Sequence, residues 1–513
     1  MQLGFVIDHS RCIGCHACTV ACKSENGVPV GDFRTWVKYT ETGTFPTVRR
    51  DFAVLRCNQC TDAPCVTICP VTALDKRPDG IVDVDPAQCI GCKGCMHGCP
   101  YDALYINEAT GTAEKCHFCA HRTEQGLAPA CAVVCPTEAI IPGDFDDPES
   151  RVSRMRDEHS LSARKTEAGT GPNVLYREVD ESGIDPSLTN LSEGFIWSEN
   201  PTGDRVDAQL FEAMEDRADA RTVYDVPRKQ LWGGKITGYL FAKSIAAGAF
   251  LAGWVSQLLM SNNEWPPLTA GYSMVGLTFL MITGALLVAD LKRPSRFWKI
   301  LVRPNWSSWL ARGTYLIVVY SALLSAWVAM PFLPFELSDG AYYALGWTTC
   351  VMAALTACYT GWLFAQAKGR VLWMKRGYWA HLIAQAFVAG AAMIMLGVGL
   401  LGAVGSEEMR HLGSVLVVSL VVHYLFIKSE GRMAPARREE EYGRVIKLIT
   451  EGPFAKRHLA SLVIGVVLPV GLVAMSQMLG HYWVEPVAAA LALAGLWIEK
   501  DTFVRAGQAL PIS

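Results

Sequence analysis

Cysteine is almost missing from the last three quarters of this 513-residue chain: of 18 in all, only Cys350 and Cys358 lie beyond Cys135. A cofactor-bearing domain followed by something different is therefore expected. Neither charge sign is in excess, since 46 Lys and Arg face 49 Asp and Glu for a formal net charge of -3. That balance lacks the basic footprint of a protein that binds nucleic acid. The opening residues Met1 to Cys12 hold no basic segment followed by an apolar one, so no secretory leader is expected and the cysteines are expected to stay reduced. Acidic residues are also missing from the middle of the long apolar stretches, with Asp290, Glu485 and Glu499 read as lying at their ends. A path that carries ions across a bilayer normally uses such groups, so pumping is disfavoured.

What is present begins with a repeat. Phe5 to Asp8 precedes Cys12-Ile-Gly-Cys15, and Ile81 to Asp85 precedes Cys89-Ile-Gly-Cys92, so a short strand twice leads into a cysteine loop. A second theme occurs three times, as Cys69-Pro-Val-Thr-Ala-Leu74, Cys99-Pro-Tyr-Asp-Ala-Leu104 and Cys135-Pro-Thr-Glu-Ala-Ile140. Two ferredoxin-like units are implied over residues 1–145.

A cubane iron-sulfur cluster needs four thiolates. The bacterial ferredoxin pattern takes three from a C-x2-C-x2-C loop and lends the fourth cysteine, three residues on, to the other cluster. Cys12, Cys15, Cys18, Cys22 and Cys89, Cys92, Cys95, Cys99 have that spacing; Cys57, Cys60, Cys65, Cys69 and Cys116, Cys119, Cys131, Cys135 have it with a longer middle loop. Zinc ribbons also use C-x2-C pairs, but four-coordinate zinc has no use for the repeated C-x3-C tail. Four [4Fe-4S] clusters are expected. Cys12-Ile-Gly-Cys15-His16 also fits a haem-attachment pattern, which is set aside because both cysteines are needed for a cubane.

With this order of motifs, residues 1 to about 180 resemble the iron-sulfur subunits of the molybdopterin oxidoreductases, such as those of dimethyl sulfoxide, nitrate and polysulfide reductases. The resemblance implies that motifs one and four exchange their last cysteines, as do motifs two and three. The sets would be Cys12/Cys15/Cys18/Cys135, Cys22/Cys116/Cys119/Cys131, Cys57/Cys60/Cys65/Cys99 and Cys69/Cys89/Cys92/Cys95. It also implies a separate catalytic subunit carrying molybdopterin.

Residues 146–235 are rich in charge, Gly, Pro and Ser and are read as a docking and linker segment. From 236 to 513 come eight apolar stretches, about 237–260, 268–290, 311–334, 341–366, 378–402, 411–427, 459–480 and 484–499, each near the roughly 20 residues that cross a bilayer. Basic residues crowd alternate connections: Lys292 to Arg312, Lys368 to Arg376 and Lys428 to Arg457, against Arg410 alone on the opposite side. The positive-inside rule then predicts a multi-pass protein of the inner (cytoplasmic) membrane with both termini and the cysteine domain in the cytoplasm. Gly397-Val-Gly399-Leu-Leu-Gly402 fits a dinucleotide fingerprint but falls inside the fifth stretch, where small residues let helices approach.

The segment Asp290 to Phe297 followed by Arg303-Pro-Asn-Trp306-Ser-Ser-Trp309 resembles the loop after the second helix in the membrane anchors of polysulfide and dimethyl sulfoxide reductases. Those anchors exchange electrons with quinone and usually carry no haem. Polar groups inside membrane helices are the candidates for quinone contact: Lys243, about two turns into the first helix; His381 and Gln385, one turn apart on a face of the fifth; and His423 with Tyr424 at similar depth in the sixth. The bland alternatives are a snorkelling lysine and interfacial anchors; a haem between His381 and His423 is disfavoured. Cys350 and Cys358 read as small buried apolar residues.

The expected architecture is an α+β ferredoxin-like domain with four [4Fe-4S] clusters, followed by an all-α eight-helix transmembrane bundle. The expected role is electron relay between a molybdopterin-bearing catalytic subunit and menaquinone or ubiquinone in the lipid bilayer. Oxidation of a small reduced substrate such as sulfite is favoured over terminal reduction, and a passive tether is the rival reading.

Overall fold

The computed structural model describes residues 1–191, 220–226, 231–260, 265–334, 337–401 and 407–513. In the N-terminal part, Leu3–Asp8 is one of the two inner strands of a four-stranded sheet, antiparallel to Ile140–Asp144 and parallel to Val174–Arg177. Its alternate residues Phe5 and Ile7 are fully buried against Phe118 and Tyr176. A second sheet pairs Thr35–Thr42 with Arg49–Arg56 on one side and Ala220–Tyr224 on the other. The strand pairs Leu74–Lys76 with Val82–Val84 and Leu104–Asn107 with Thr112–Lys115 flank the cysteine loops.

Residues 146–191 and 220–226 are therefore not a linker. Val174–Arg177 sits beside the first strand of the chain, Val152 and Met155 of the helix Arg151–Glu158 pack on Val6, and Ala220–Tyr224 completes the second sheet. These strands are four or five residues long, too short for an alternating pattern to stand out from the surrounding charge. Of the expected segment, residues 192–219 and 227–230 lie outside the described residues.

The C-terminal part is helical. We number its long helices α1 (Gly234–Leu259), α2 (Trp265–Asp290), α3 (Trp309–Ala329), α4 (Asp339–Ala365), α5 (Tyr378–Leu400), α6 (Glu407–Lys428), α7 (Ala455–Leu479) and α8 (Glu485–Ala506). The first seven are long and apolar enough to cross a membrane. Helix α8 has 22 residues, but it runs past the apolar stretch and carries Glu499, Lys500, Asp501 and Arg505 in its last turns. Glu499, expected at a helix end, thus lies inside one. A hydrogen-bonded helix continues through charged residues wherever neighbouring helices supply partners, which hydropathy alone does not register.

Helix α1 is the axis of the bundle, with 94% of its apolar window buried. It meets α5 where Gly248 and Gly390 touch backbone to backbone; a Cβ on Gly248 would stand 1.7 Å from the Ala386 carbonyl oxygen. Among the small residues singled out in α5, a Cβ on Gly399 would stand 2.5 Å from Pro486 of α8, whereas one on Gly397 would meet nothing within 4 Å; Gly402 lies outside the described residues. Helix α7 contains a π-turn at Val463–Val467, where Gly465 packs on Gly495 of α8.

Candidate functional site

Each cysteine loop is shaped by a residue in the left-handed region. The third residue of the opening C-x-x-C of each motif has positive φ: Gly14, Gln59, Gly91 and Phe118. Gly91 has no alternative, because a Cβ there would lie 2.5 Å from the Gly111 carbonyl and 2.6 Å from Lys292. Gln59 is held by its side chain, which accepts from the Val82 amide at 2.8 Å and donates to the Cys116 carbonyl at 2.9 Å. The repeated Cys-Pro-x-x-Ala theme has a parallel cause. Thr72, Asp102 and Glu138 have positive φ, which turns the following Ala amide back onto the cysteine sulfur, at 3.3 Å for Ala73 on Cys69 and 3.2 Å for Ala139 on Cys135.

These loops bring cysteines of different motifs face to face. Burial and then the sulfurs of Cys116, Cys131 and Cys119 push the Cys22 thiol up. Burial, then Cys135 and Cys15, do the same to Cys12. Cys65 is raised by burial, Cys99, Cys57 and Cys60, and Cys95 by burial, Cys92, Cys89 and Cys69. One small cavity is lined by Cys69, Cys89, Cys92 and Cys95, and another by Cys22, Cys116, Cys119 and Cys131. The first group also nears the second through Cys18 and Cys131, and the third nears the last through Cys65 and Cys95.

Two buried cations sit among these sulfurs, and nothing in the sequence pattern marked them. Arg56 is fully buried and donates from Nη1 to Cys131 Sγ at 3.2 Å, while its Nε and Nη2 have no partner among the described residues. Burial opposes the guanidinium charge, yet facing Cys131, Cys116 and Cys18 hold it above its ordinary value. Lys115 is raised in the same way by Cys57, Cys65 and Cys116 against the effect of burial. Buried cations require buried anions, and thiolates, the form that binds iron, supply them. A tetrahedral zinc would draw its sulfurs to about 2.3 Å from one point, whereas among the described residues no three cysteine sulfurs lie within 4.8 Å of one another. The open spacing fits a polynuclear iron-sulfur cluster, which supplies one-electron transfer when bound.

The connection between α2 and α3 seats the membrane half on one of these groups. Lys93 donates to both oxygens of Asp290 at 2.9 Å. The amides of Lys292 and Arg293 donate to the carbonyls of Gly91 and Ile90, each at 3.2 Å. Arg296 Nη1 reaches the Cys89 carbonyl at 2.9 Å and Asn305 Nδ2 the Cys69 carbonyl at 2.8 Å. Basic residues of this connection thus grip the backbone around two cysteines, which puts the cysteine domain on the basic side of the bundle. His97, fully buried between Cys95 and Cys99, packs against Trp232 at a tilt and against Trp373 edge-on, with ring centres 4.1 and 4.9 Å away. From Trp373 the packing continues through Phe364 and Tyr378 to His381.

His381, Gln385 and His423 do come together. His381 Nε2 stands 2.9 Å from His423 Nδ1, and His423 Nε2 lies 3.3 Å from a Glu499 oxygen. Gln385 Nε2 donates to Glu499 at 2.9 Å and its carbonyl accepts from Lys500. Lys375, three residues before α5, lies 3.5 Å from His381 Nδ1 and pairs with Glu430 at 2.6 Å. The two imidazoles share a hydrogen bond where a doubly ligated haem iron would have to sit. Lys243 forms a separate nest: it is fully buried, so it does not snorkel, and donates to the Ala357 carbonyl at 3.0 Å and to Thr360, over the Tyr359 ring. Tyr424 is not brought to either nest and is 39% exposed on the outside of the bundle. Lys500 and Glu430 escaped the sequence reading, and Glu499 entered it only as a charge at a helix end; their only signal there is a charge close to an apolar run. Cys350 and Cys358 are buried in α4.

Cysteine groups that suit iron-sulfur clusters, locked onto a bundle of membrane-length helices, define an iron-sulfur electron-transfer protein with its own membrane anchor. Residues 223–511, more than half of the chain, match the family described as polysulphide reductase, NrfD, and the chain belongs to that family. Residues 48–145 match the 4Fe-4S dicluster domain, so a cluster subunit and a membrane anchor are fused in one chain. The N-terminal part is 37% identical over 224 residues to the arsenate respiratory reductase iron-sulfur subunit ArrB of a Shewanella species, covering 34% of this chain and 96% of that protein. It is 42% identical over 180 residues to the protein NrfC of Escherichia coli, covering 34% of this chain and 80% of the other. Thiosulfate reductase electron transfer subunit PhsB of Salmonella typhi is 42% identical, over 34% of this chain and 93% of its own length.

Proposed function

We propose that this chain exchanges electrons between a molybdopterin-bearing catalytic subunit and quinone, using four [4Fe-4S] clusters held by the sixteen cysteines in the four exchanged sets given above. The clusters supply one-electron steps; this chain's residues hold them, tune their charge and seat one group on the membrane half. We place the cysteine domain and both termini in the cytoplasm, on the basic side of the bundle. Residues 1–191 with the strand at 220–224 act as the cluster domain, and 231–513 as the anchor.

The observation that carries the quinone reading is the buried polar group His381, His423, Gln385 and Glu499 on the cluster side of the bundle. Ionisable residues at that depth are costly and are retained for function. Glu499 keeps 17% side-chain exposure, the point where a quinone ring arriving from the bilayer meets the group, and Lys243 with Tyr239 and Tyr359 forms the neighbouring polar wall. The two-electron direction is set by the partner. Substrate oxidation with quinone reduction is one reading; two of the relatives are named as parts of reductases, and that favours the second, withdrawal of electrons from quinol.

Lys243→Met, His381→Ala and His423→Ala test this. In the purified full chain each should lower quinol oxidation on the order of 10²-fold, while reduction of a water-soluble dye by chemically reduced clusters stays within twofold or so. Unchanged quinol oxidation in all three would leave the membrane half a passive tether.

A further inference from the structure

The polar group beneath the cluster domain is longer than a quinone site needs. Starting outside, Glu430 in the turn after α6 keeps 16% side-chain exposure and accepts from Lys375 at 2.6 Å. Lys375 Nζ lies 3.5 Å from His381 Nδ1, His381 Nε2 lies 2.9 Å from His423 Nδ1, and His423 Nε2 lies 3.3 Å from Glu499. Each imidazole is entered by one nitrogen and left by the other, which is the arrangement a neutral imidazole needs to take a proton on one side and release one on the other. Lysine has only donors, so Lys375 donates both to Glu430 and to His381 Nδ1, and from His381 onward each donor points toward Glu499. The middle is sealed, with His381 and His423 1% and 4% exposed; the two carboxylates at its ends are the partly exposed members.

From this geometry we propose that Glu430, Lys375, His381, His423 and Glu499 form a proton relay between water on the cluster-domain side and the quinone oxygens. It rests on the quinone reading above. Reducing a quinone takes two electrons, delivered from the cluster domain, and two protons. Glu499 gives a proton to a quinone oxygen and is reprotonated from His423 Nε2; His423 is refilled through His381, and His381 from the Lys375 and Glu430 pair in contact with water. Two such passages complete the quinol, and quinol oxidation runs the same row backwards. Gln385 braces Glu499, and the Lys500 ammonium behind it compensates the carboxylate. The other groups against the row are the rings of Tyr378 and Phe426, the Phe503 ring beneath Lys375, and Tyr442, whose hydroxyl donates to the Glu430 carbonyl. All protons enter and leave on one side, so the relay moves no charge across the bilayer.

The test uses the full chain in lipid vesicles, a short-chain quinol, and ferricyanide outside as electron acceptor: one quinol and two ferricyanide give one quinone, two ferrocyanide and two protons. Glu430→Gln keeps an acceptor for Lys375 but cannot carry a proton. Its turnover should fall on the order of tenfold or more with KM for quinol unchanged, and should recover with added imidazole or in Glu430→Asp. In the unmodified protein both protons should appear outside. Equal turnover in Glu430→Gln, a fall that comes with a raised KM and no imidazole rescue, or protons released inside the vesicle would each overturn the relay. An unmodified protein that oxidises no quinol would instead bring down the quinone reading itself, and the relay with it.

Discussion

A single buried guanidinium sets much of the electrostatics of the cysteine domain. Arg56 has no carboxylate against it among its hydrogen bonds; its near neighbours are the sulfurs of Cys131, Cys116 and Cys18 and the ring of Phe5. A positive charge beside a cluster favours the reduced, more negative state. Arg56→Gln should therefore lower the reduction potential of the adjacent cluster on the order of 100 mV, since a unit charge about 4 Å away at an effective dielectric near 20 is worth about 4 kcal/mol. Arg56→Lys should restore most of it. A redox titration followed by electron paramagnetic resonance reads the shift, and a potential equal to that of the unmodified protein contradicts the role. The cysteines were legible in the sequence because ligand spacing is local chemistry. Arg56 was not, because at the end of Arg49–Arg56 it reads like the exposed Arg49 and Arg50 at the other end.

Helices follow the same division. Hydropathy finds each apolar stretch, but it cannot show that α5 and α6 bring His381 against His423, or that α8 runs seven residues beyond Glu499. Those facts depend on which helices cross closely, and the closest crossing is fixed by Gly248 of α1 and Gly390 of α5. Membrane helices gain most of their association from such close backbone contact. Gly248→Leu should force the two apart and cost roughly 1–3 kcal/mol, the range for overpacking a filled site, seen as a lowered unfolding temperature in detergent. Gly271→Leu in α2, where a Cβ would meet nothing within 4 Å, should leave that temperature nearly unchanged. Equal effects of the two would mean that helix propensity and not the crossing is responsible. The sheets were harder to read than the helices: Val174–Arg177 joins the first strand of the chain by pairing with residues about 170 positions earlier, a contact no local pattern encodes.

Across the whole molecule, the function requires the cysteine domain to stay registered on the bundle, and that register rests on a small set of contacts. Most are basic side chains and amides bonded to carbonyls, which water can replace at modest net cost. Lys93 with Asp290 is different, because both side chains are nearly sealed, at 9% and 13% exposure. Asp290→Ala leaves an ammonium in that seal without its partner, a loss that runs to about 3–5 kcal/mol for a buried pair. We expect hydrogen exchange to quicken at residues 86–95 and 290–308 together, and quinol-linked turnover to fall while dye reduction by the cluster domain persists. Adding Lys93→Met to Asp290→Ala removes the stranded charge and should recover much of both, as replacing a whole buried pair by apolar groups is far milder than breaking it. If the single and double variants both behave like the unmodified protein, the halves are held by the carbonyl contacts alone, and the ion pair contributes nothing to electron delivery.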